Sequence, residues 1–261
     1  MTVPRKYSFL TFHKQGLAGL VLIMVSWLLT WLPTVLDDPT RLRNHVLFFP
    51  LWLGYILVAD AWVWKRKATS LLRRNRRAFI SLFLVSAPAW WIFEVINWRT
   101  QNWEYLGREH FSDLEYFILA SVAFSTVMPA VFETAELVST FRWFKRLPSL
   151  PAIPMSQSIL MGFFGVGILS FVFMLVFPRY GFPLVWLSLY FILEPVNVWR
   201  GNRSLAEDIS KGNWRPVYAL WIGALICGFF WEMWNFYGYP KWDYHVPFVE
   251  FLHLFEMPLL G

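Results

Sequence analysis

Charge is scarce in this chain. Asp, Glu, Lys and Arg together make up 15% of its 261 residues, against about 25% in soluble domains. So little charge excludes an intrinsically disordered chain. Cysteine is nearly absent. Cys227 stands alone inside an apolar run, which excludes an internal disulfide scaffold and any paired-cysteine redox or zinc motif. The five histidines (13, 45, 110, 245 and 253) are scattered, and no His pair at helical spacing flanks a Glu. The Gly-Lys-Ser/Thr phosphate loop and the dinucleotide glycine fingerprint are missing as well. No metal and no cofactor is expected.

What is present is apolar and aromatic. Hydrophobic residues make up 57% and aromatics 20%, with 17 Trp and 26 Phe. The mean hydropathy is +0.45. A helix needs about 20 mostly apolar residues to cross a bilayer core. Seven segments meet that standard, at roughly 15–36, 46–64, 78–98, 113–137, 155–178, 182–199 and 215–237. An eighth apolar piece begins near Val249 and stops at Gly261. It is too short to span, so it reads as a re-entrant half-helix or as a span cut short. The first segment has Trp27, Trp31 and Pro33 where a signal peptide needs small residues, so it reads as a retained span. The fold class expected is an all-α, polytopic transmembrane helix bundle.

Loop charge sets the expected orientation. The N-terminus carries Arg5, Lys6 and Lys14 with no acid, and the 37–45 loop sets Asp37 and Asp38 against Arg41 and Arg43. The 65–77 loop holds Lys65, Arg66, Lys67, Arg73, Arg74, Arg76 and Arg77, again with no acid. Basic loops alternate with neutral or acidic ones along the chain, which places the N-terminus in the cytoplasm. Topology then accounts for the net charge of +6, and nucleic-acid binding is not needed to explain it.

The chain also repeats itself. Phe49-Pro50-Leu51-Trp52 recurs as Phe182-Pro183-Leu184-Val185-Trp186. Asp60 and Ser70-Leu71 match Glu194 and Ser204-Leu205 at an offset of 134. Glu94 and Asn97 match Glu232 and Asn235 at 138, and Trp103-Glu104-Tyr105 matches Trp242-Asp243-Tyr244 at 139. Shared polar residues at matching spacing point to a parallel duplication of four-span units, 1–150 and 151–261, the second incomplete at its last span.

The candidate site lies on the repeated polar residues. Intramembrane carboxylates are costly and usually face a bundle interior. Glu94 and Asn97 share a helix face, as do Glu232 and Asn235. Glu94 and Glu232 are the candidate acid–base pair. Asn97, Asn235, Trp91, Trp231 and Trp234 are candidate lining residues. Trp103, Glu104, Tyr105, Trp242, Asp243 and Tyr244 are candidate covers of its mouth. The bland alternatives are a Glu–Asn network that pins helices and aromatic anchors at the interface. Asp60, Glu133, Glu136 and Glu194 form an inner acidic layer, read as pairing with adjacent basic loops such as Lys65 and Arg66. Ser112-Asp113-Leu114-Glu115 fits a capping box, Pro129 predicts a kink in span four, and Gly162, Gly165 and Gly167 permit close helix contact.

Two windows resemble a known family. Trp91-Ile92-Phe93-Glu94 with Trp103-Glu104-Tyr105 and Asp113-Leu114-Glu115, and Trp231-Glu232 with Trp242-Asp243-Tyr244 and Phe255-Glu256-Met257-Pro258, resemble the integral-membrane lycopene cyclase domains of the heterodimeric type. That resemblance implies action on carotenoid ends. Gln101-Asn102-Trp103, Val131-Phe132-Glu133-Thr134 and Phe255-Glu256-Met257-Pro258 are similar to a group of uncharacterised bacterial inner-membrane proteins, which implies that membrane.

Three functions stay open. One is binding or acid–base conversion of an isoprenoid or other lipid, with aromatic faces able to stabilise a cation. The second is a proton- or cation-coupled transporter or channel, against which no span is interrupted at its midpoint by a Gly/Pro pair. The third is a structural membrane subunit. Membrane lipid is the expected partner.

Overall fold

A computed structural model describes residues 14–36 and 43–259. Arg5, Lys6, Asp37, Asp38 and Arg41 of the topology argument lie outside the described residues. The helices are α1 (Lys14–Val35), α2 (Asn44–Lys67), α3 (Leu71–Arg74), α4 (Arg76–Thr100), α5 (Asp113–Phe124), α6 (Val127–Ser139), α7 (Gln157–Val176), α8 (Phe182–Trp199), α9 (Leu205–Ser210) and α10 (Arg215–Phe236). Short strands follow α4 and α10: β1 (Trp103–Leu106), β2 (Lys241–Tyr244), β3 (His253–Leu254) and β4 (Met257–Pro258). Seven helical segments, counting α5 and α6 as one, are long and apolar enough to cross a membrane. The chain is a multi-pass membrane protein. Large apolar side chains such as Leu84, Leu169 and Leu225 stand outward on the spans, as a lipid-facing surface requires.

Local chemistry sets the helix ends. Asn75 caps α4 by accepting from Ala78 N, and Ser156 caps α7 by accepting from Ile159 N. The Ser112–Glu115 capping box is complete at the start of α5. Gln101 ends α4 in the left-handed region and turns the chain into β1.

α6 packs against α10, α2 and α4, while α1 lies on α2 and α7 on α8. The α1–α2 contact rests on two glycines. A Cβ at Gly19 would sit 2.7 Å from the Gly54 carbonyl, and one at Gly54 would sit 2.7 Å from the Gly19 carbonyl. Only at glycine can the two backbones approach this closely. Of the three span-five glycines, Gly167 alone lies against another helix, at Ile192. Gly162 and Gly165 face open space.

Span four is not one helix. α5 stops at Phe124 and α6 starts at Val127. Pro129 has no N–H for the Ser125 carbonyl. Ser125 and Thr126 turn their hydroxyls back onto the Val122 and Ala123 carbonyls, a local alternative to helix. Buried Ser86 of α4 bridges the gap, donating to the Phe124 carbonyl at 2.6 Å and accepting from Met128 N at 3.0 Å. The predicted kink is therefore a full interruption.

The short eighth helix is also corrected. β3 and β4 pair as a small antiparallel hairpin, His253 opposite Pro258 and Leu254 opposite Met257. Proline cannot donate to a helix, and Phe255 takes a left-handed conformation between the strands. Phe255 packs on Phe229 and Phe236, and Glu256 pairs with Lys241, so the hairpin is tied to α10 and β2.

Candidate functional site

β1 and β2 pair with each other in antiparallel register, Trp103 opposite Tyr244, Glu104 opposite Asp243, Tyr105 opposite Trp242 and Leu106 opposite Lys241. The two aromatic-acid motifs thus form one ribbon across the ends of α4 and α10. Side chains alternate faces along a strand. Trp103, Tyr105, Trp242 and Tyr244 share one face, and Glu104 and Asp243 share the other.

The aromatic face closes on the two intramembrane acids. Glu94 Oε1 accepts from Tyr105 Oη at 2.7 Å and from the indole nitrogens of Trp103 and Trp90, both at 3.2 Å. Glu232 Oε1 accepts from Tyr244 Oη at 2.9 Å and from the Trp242 indole at 3.3 Å. The Asn residues hold the strand backbones. Asn97 donates to the Trp103 carbonyl at 2.7 Å and accepts from Asn102 N and Trp103 N. Asn235 donates to the Trp242 carbonyl at 2.7 Å and accepts from Trp242 N at 3.0 Å. Each carboxylate-plus-amide pair is one turn of helix holding one strand. Burial first, and then the adjacent carboxylates Glu94 and Glu232, hold the Tyr105 and Tyr244 phenols well above the usual tyrosine range.

The two cradles differ in two respects. Glu232 Oε2 is buried and has no hydrogen-bond partner among the described residues. Trp90, the extra donor to Glu94, lies four residues before it. The position four before Glu232 is Gly228, where an added Cβ would meet nothing within 4 Å.

An aromatic seam joins the cradles. Trp90 contacts Trp231 and Trp186, Trp231 contacts Trp52 at a centroid distance of 4.7 Å, and Trp186 stacks on Trp103. Trp234 sits on the far side of Trp52, among Trp27, Tyr55 and Phe230. Trp91 turns away from Glu94 to bond Ser121 and stack on Phe117. Glu104 lies on the outer face with His245, at 3.1 Å, and Asp243 accepts from the N–H of Tyr244 there. Trp90 belongs to the seam without having been singled out in sequence, where Trp52 and Trp186 stood out only as part of the repeat. Trp90 was legible, since it stands at i−4 from Glu94.

Three of the four inner acids have structural partners, and Glu133 has none among the described residues. Asp60 accepts from Leu72 N at 3.1 Å and from Gln15 Nε2 at 2.8 Å, and Glu194 accepts from Ala206 N at 2.6 Å. Each acid reaches the first turn of the short helix after its own span, α3 or α9, and satisfies a free N–H. Glu136 takes Arg74 in two-pronged fashion at 2.9 Å, so of the four acids it is the one paired with a basic loop. Among the described residues no cluster of three or more His, Cys, Asp or Glu is placed to hold a metal ion.

No protein-family model, no curated protein and no solved structure matches this chain.

Proposed function

We propose that this is a bacterial inner-membrane protein, N-terminus cytoplasmic, that binds an isoprenoid or another long apolar lipid at the ribbon end of the bundle. Glu232 is its polar anchor and acid–base group. The observation that carries this reading is the Glu232 Oε2 atom. It is buried and unpaired beside a Trp-lined seam, and a Cβ at Gly228, one turn before it, would meet nothing within 4 Å. A buried carboxyl oxygen without a donor is costly, and a ligand hydroxyl or a developing positive charge would complete it. Ring faces of Trp231, Trp90 and Trp52 suit an apolar chain and a cation. Glu94, already holding three donors, serves as the clamp of the other half. The resemblance of both windows to lycopene cyclase domains points in the same direction.

This reading includes an internal duplication of 1–150 and 151–261. Its support is that matched residues make matched bonds: Glu94 and Glu232 to Trp and Tyr of the following strand, Asn97 and Asn235 to its backbone, Asp60 and Glu194 to the N–H twelve residues on. A second reading, coupled transport, is favoured by the interruption of span four at Ser125–Thr126, because discontinuous helices line many transporter sites.

The test is native mass spectrometry with lipid extraction on gently purified wild type, Glu232→Gln and Gly228→Trp. An isoprenoid or other apolar lipid retained by wild type and lost in both variants is expected. Retention unaffected by Gly228→Trp, or bulk phospholipid alone in wild type, would overturn the lipid reading. Ion flux into proteoliposomes would then decide the transport reading.

A further inference from the structure

Glu133 lies in the second turn of α6, away from the ribbon, with no exposed surface. Neither of its carboxyl oxygens is reached by any N–H or O–H donor among the described residues. Charged and titratable groups approach it from the elements packed around α6. Asp60 of α2 and Glu136 of its own helix are its carboxylate neighbours, and Arg74 comes from α3. Arg74 is committed to Glu136 through both its terminal nitrogens. One residue on, Thr134 bonds Tyr55 of α2 at 2.8 Å and Cys227 of α10 at 3.3 Å, so those two groups are turned to Thr134. α4 faces this region with Phe79 and Phe83.

The protonation pattern follows from who donates to whom. Asp60 accepts from Leu72 N and Gln15 Nε2, one bond on each oxygen. Each Asp60 oxygen thus already serves as an acceptor. Glu133 beside it has no donor. As an ion it would be a fully buried charge without a hydrogen bond beside a second carboxyl group, which is strongly unfavourable. As a neutral acid it has an O–H to give, and Asp60 has lone pairs to take it.

The residues that donate to Asp60 border a cleft. Gln15 and Leu72, its two donors, line an open cleft of about 440 Å³ together with Arg73 and Arg76. The cleft opens where the 65–77 segment gathers its basic residues.

We propose that Glu133 is a proton-binding site, a neutral acid that donates its O–H to Asp60 and exchanges that proton with water through the Gln15–Arg76 cleft. In the exchange the Glu133 O–H bond breaks as an Asp60 O–H bond forms. Asp60 then passes the proton to a water in the cleft, and Glu133 is reprotonated by the reverse path. The site is independent of what the ribbon end binds.

Infrared difference spectroscopy of wild type against Glu133→Gln tests this. Gln keeps the shape and offers an N–H to Asp60, so the variant is expected to fold, with its elution profile as the control. At neutral pH wild type should show one carboxylic-acid carbonyl band per chain that Glu133→Gln lacks, and the band should shift on transfer to heavy water. Asp60→Asn supplies an amide donor to Glu133, so in that variant the band should fade at lower pH than in wild type. It carries the test alone if Glu133→Gln fails to fold. Identical wild-type and Glu133→Gln spectra at neutral pH would overturn the proton site. A band that never shifts in heavy water would overturn the exchange. Indifference to Asp60→Asn would overturn the pairing.

Discussion

Replacing Glu94 separates the work of its oxygen from the work of its charge. One atom, Oε1, receives Tyr105 Oη at 2.7 Å and two indole N–H groups at 3.2 Å. Glu94→Ala leaves all three donors without an acceptor in a buried place. Each orphaned group costs about 1–3 kcal/mol. The Trp103 and Tyr105 donors sit on the ribbon and regain some water as it loosens. The expected loss is therefore about 3–6 kcal/mol. Glu94→Gln keeps a carbonyl oxygen in the same position. It gives up only the charge assistance, which roughly doubles a hydrogen bond, and should cost about 1–2 kcal/mol. Tyr105→Phe removes the shortest bond alone and should cost about 1–2 kcal/mol. Glu232 has two such donors, so Glu232→Ala should fall below Glu94→Ala by about one donor's share, 1–2 kcal/mol.

The assay is equilibrium unfolding in mixed micelles, followed by tryptophan fluorescence, on all four variants. The order expected is Glu94→Ala, then Glu232→Ala, then Glu94→Gln together with Tyr105→Phe. A Glu94→Ala protein within about 0.5 kcal/mol of wild type, the range of an ordinary surface change, would refute the clamp. Equal losses in Glu94→Ala and Glu94→Gln would show that charge, and not the shared acceptor, holds the ribbon.

Three further outcomes follow from other contacts. Gly54→Ala should cost about 1–3 kcal/mol by overpacking, since its Cβ would press on the Gly19 carbonyl, while Gly162→Ala, in open space, should unfold like wild type. Tyr105 and Tyr244 are held above the ordinary tyrosine range by burial and their Glu partners. Unfolded phenols ionise near pH 10, so the unfolded state sheds protons first, and the stabilisation is present below that pH and fades as pH rises above it. A Tyr105→Phe/Tyr244→Phe double variant, less stable at neutral pH, should show a shallower alkaline decline in the same unfolding assay. Ser86→Ala strands the Phe124 carbonyl and Met128 N. It should cost about 1–3 kcal/mol and speed amide exchange at Met128 ahead of the rest of α6.

The spans were legible because each is a run of about twenty apolar residues with polar ends, and span length is set by the bilayer more than by packing. Their partners were not. Trp103 and Tyr244 meet across 141 positions, and the repeat shows that the two motifs are alike without showing that they pair. Trp90 and Trp91 both sit within a turn of Glu94. Only the packing of α5 decides that Trp91 turns to Ser121. Pro129 marked a weak point in span four, but the break needs Ser86 from another helix to supply the lost bonds. The terminal apolar stretch fits a short helix by composition, while Pro247 and Pro258 at its two ends were the signal for the hairpin. Gly19 and Gly54 stand in different spans with no motif around them, and their contact exists only in three dimensions.

The buried acids of this bundle obey one rule with two exceptions. Asp60, Glu194 and Glu94 each leave the helix they sit on to satisfy a donor from a neighbouring segment just beyond the span: a free N–H of α3 or α9, or a side chain of β1. Such bonds explain how polar residues survive in apolar surroundings, and they take up part of the hydrogen-bonding capacity of each acid. An acid engaged in holding the fold is a poor place to grip a ligand, although Asp60, with one donor on each oxygen, keeps a lone pair on each to relay its neighbour's proton. Glu232, whose second oxygen is buried without a donor, and Glu133, with both oxygens so, depart from the rule among the described residues. The incomplete groups lie at opposite ends of the bundle, one beside the tryptophan seam and one beside the basic cleft. Glu→Gln substitution at these two residues should change function more than stability, while Glu194→Gln should act on stability first.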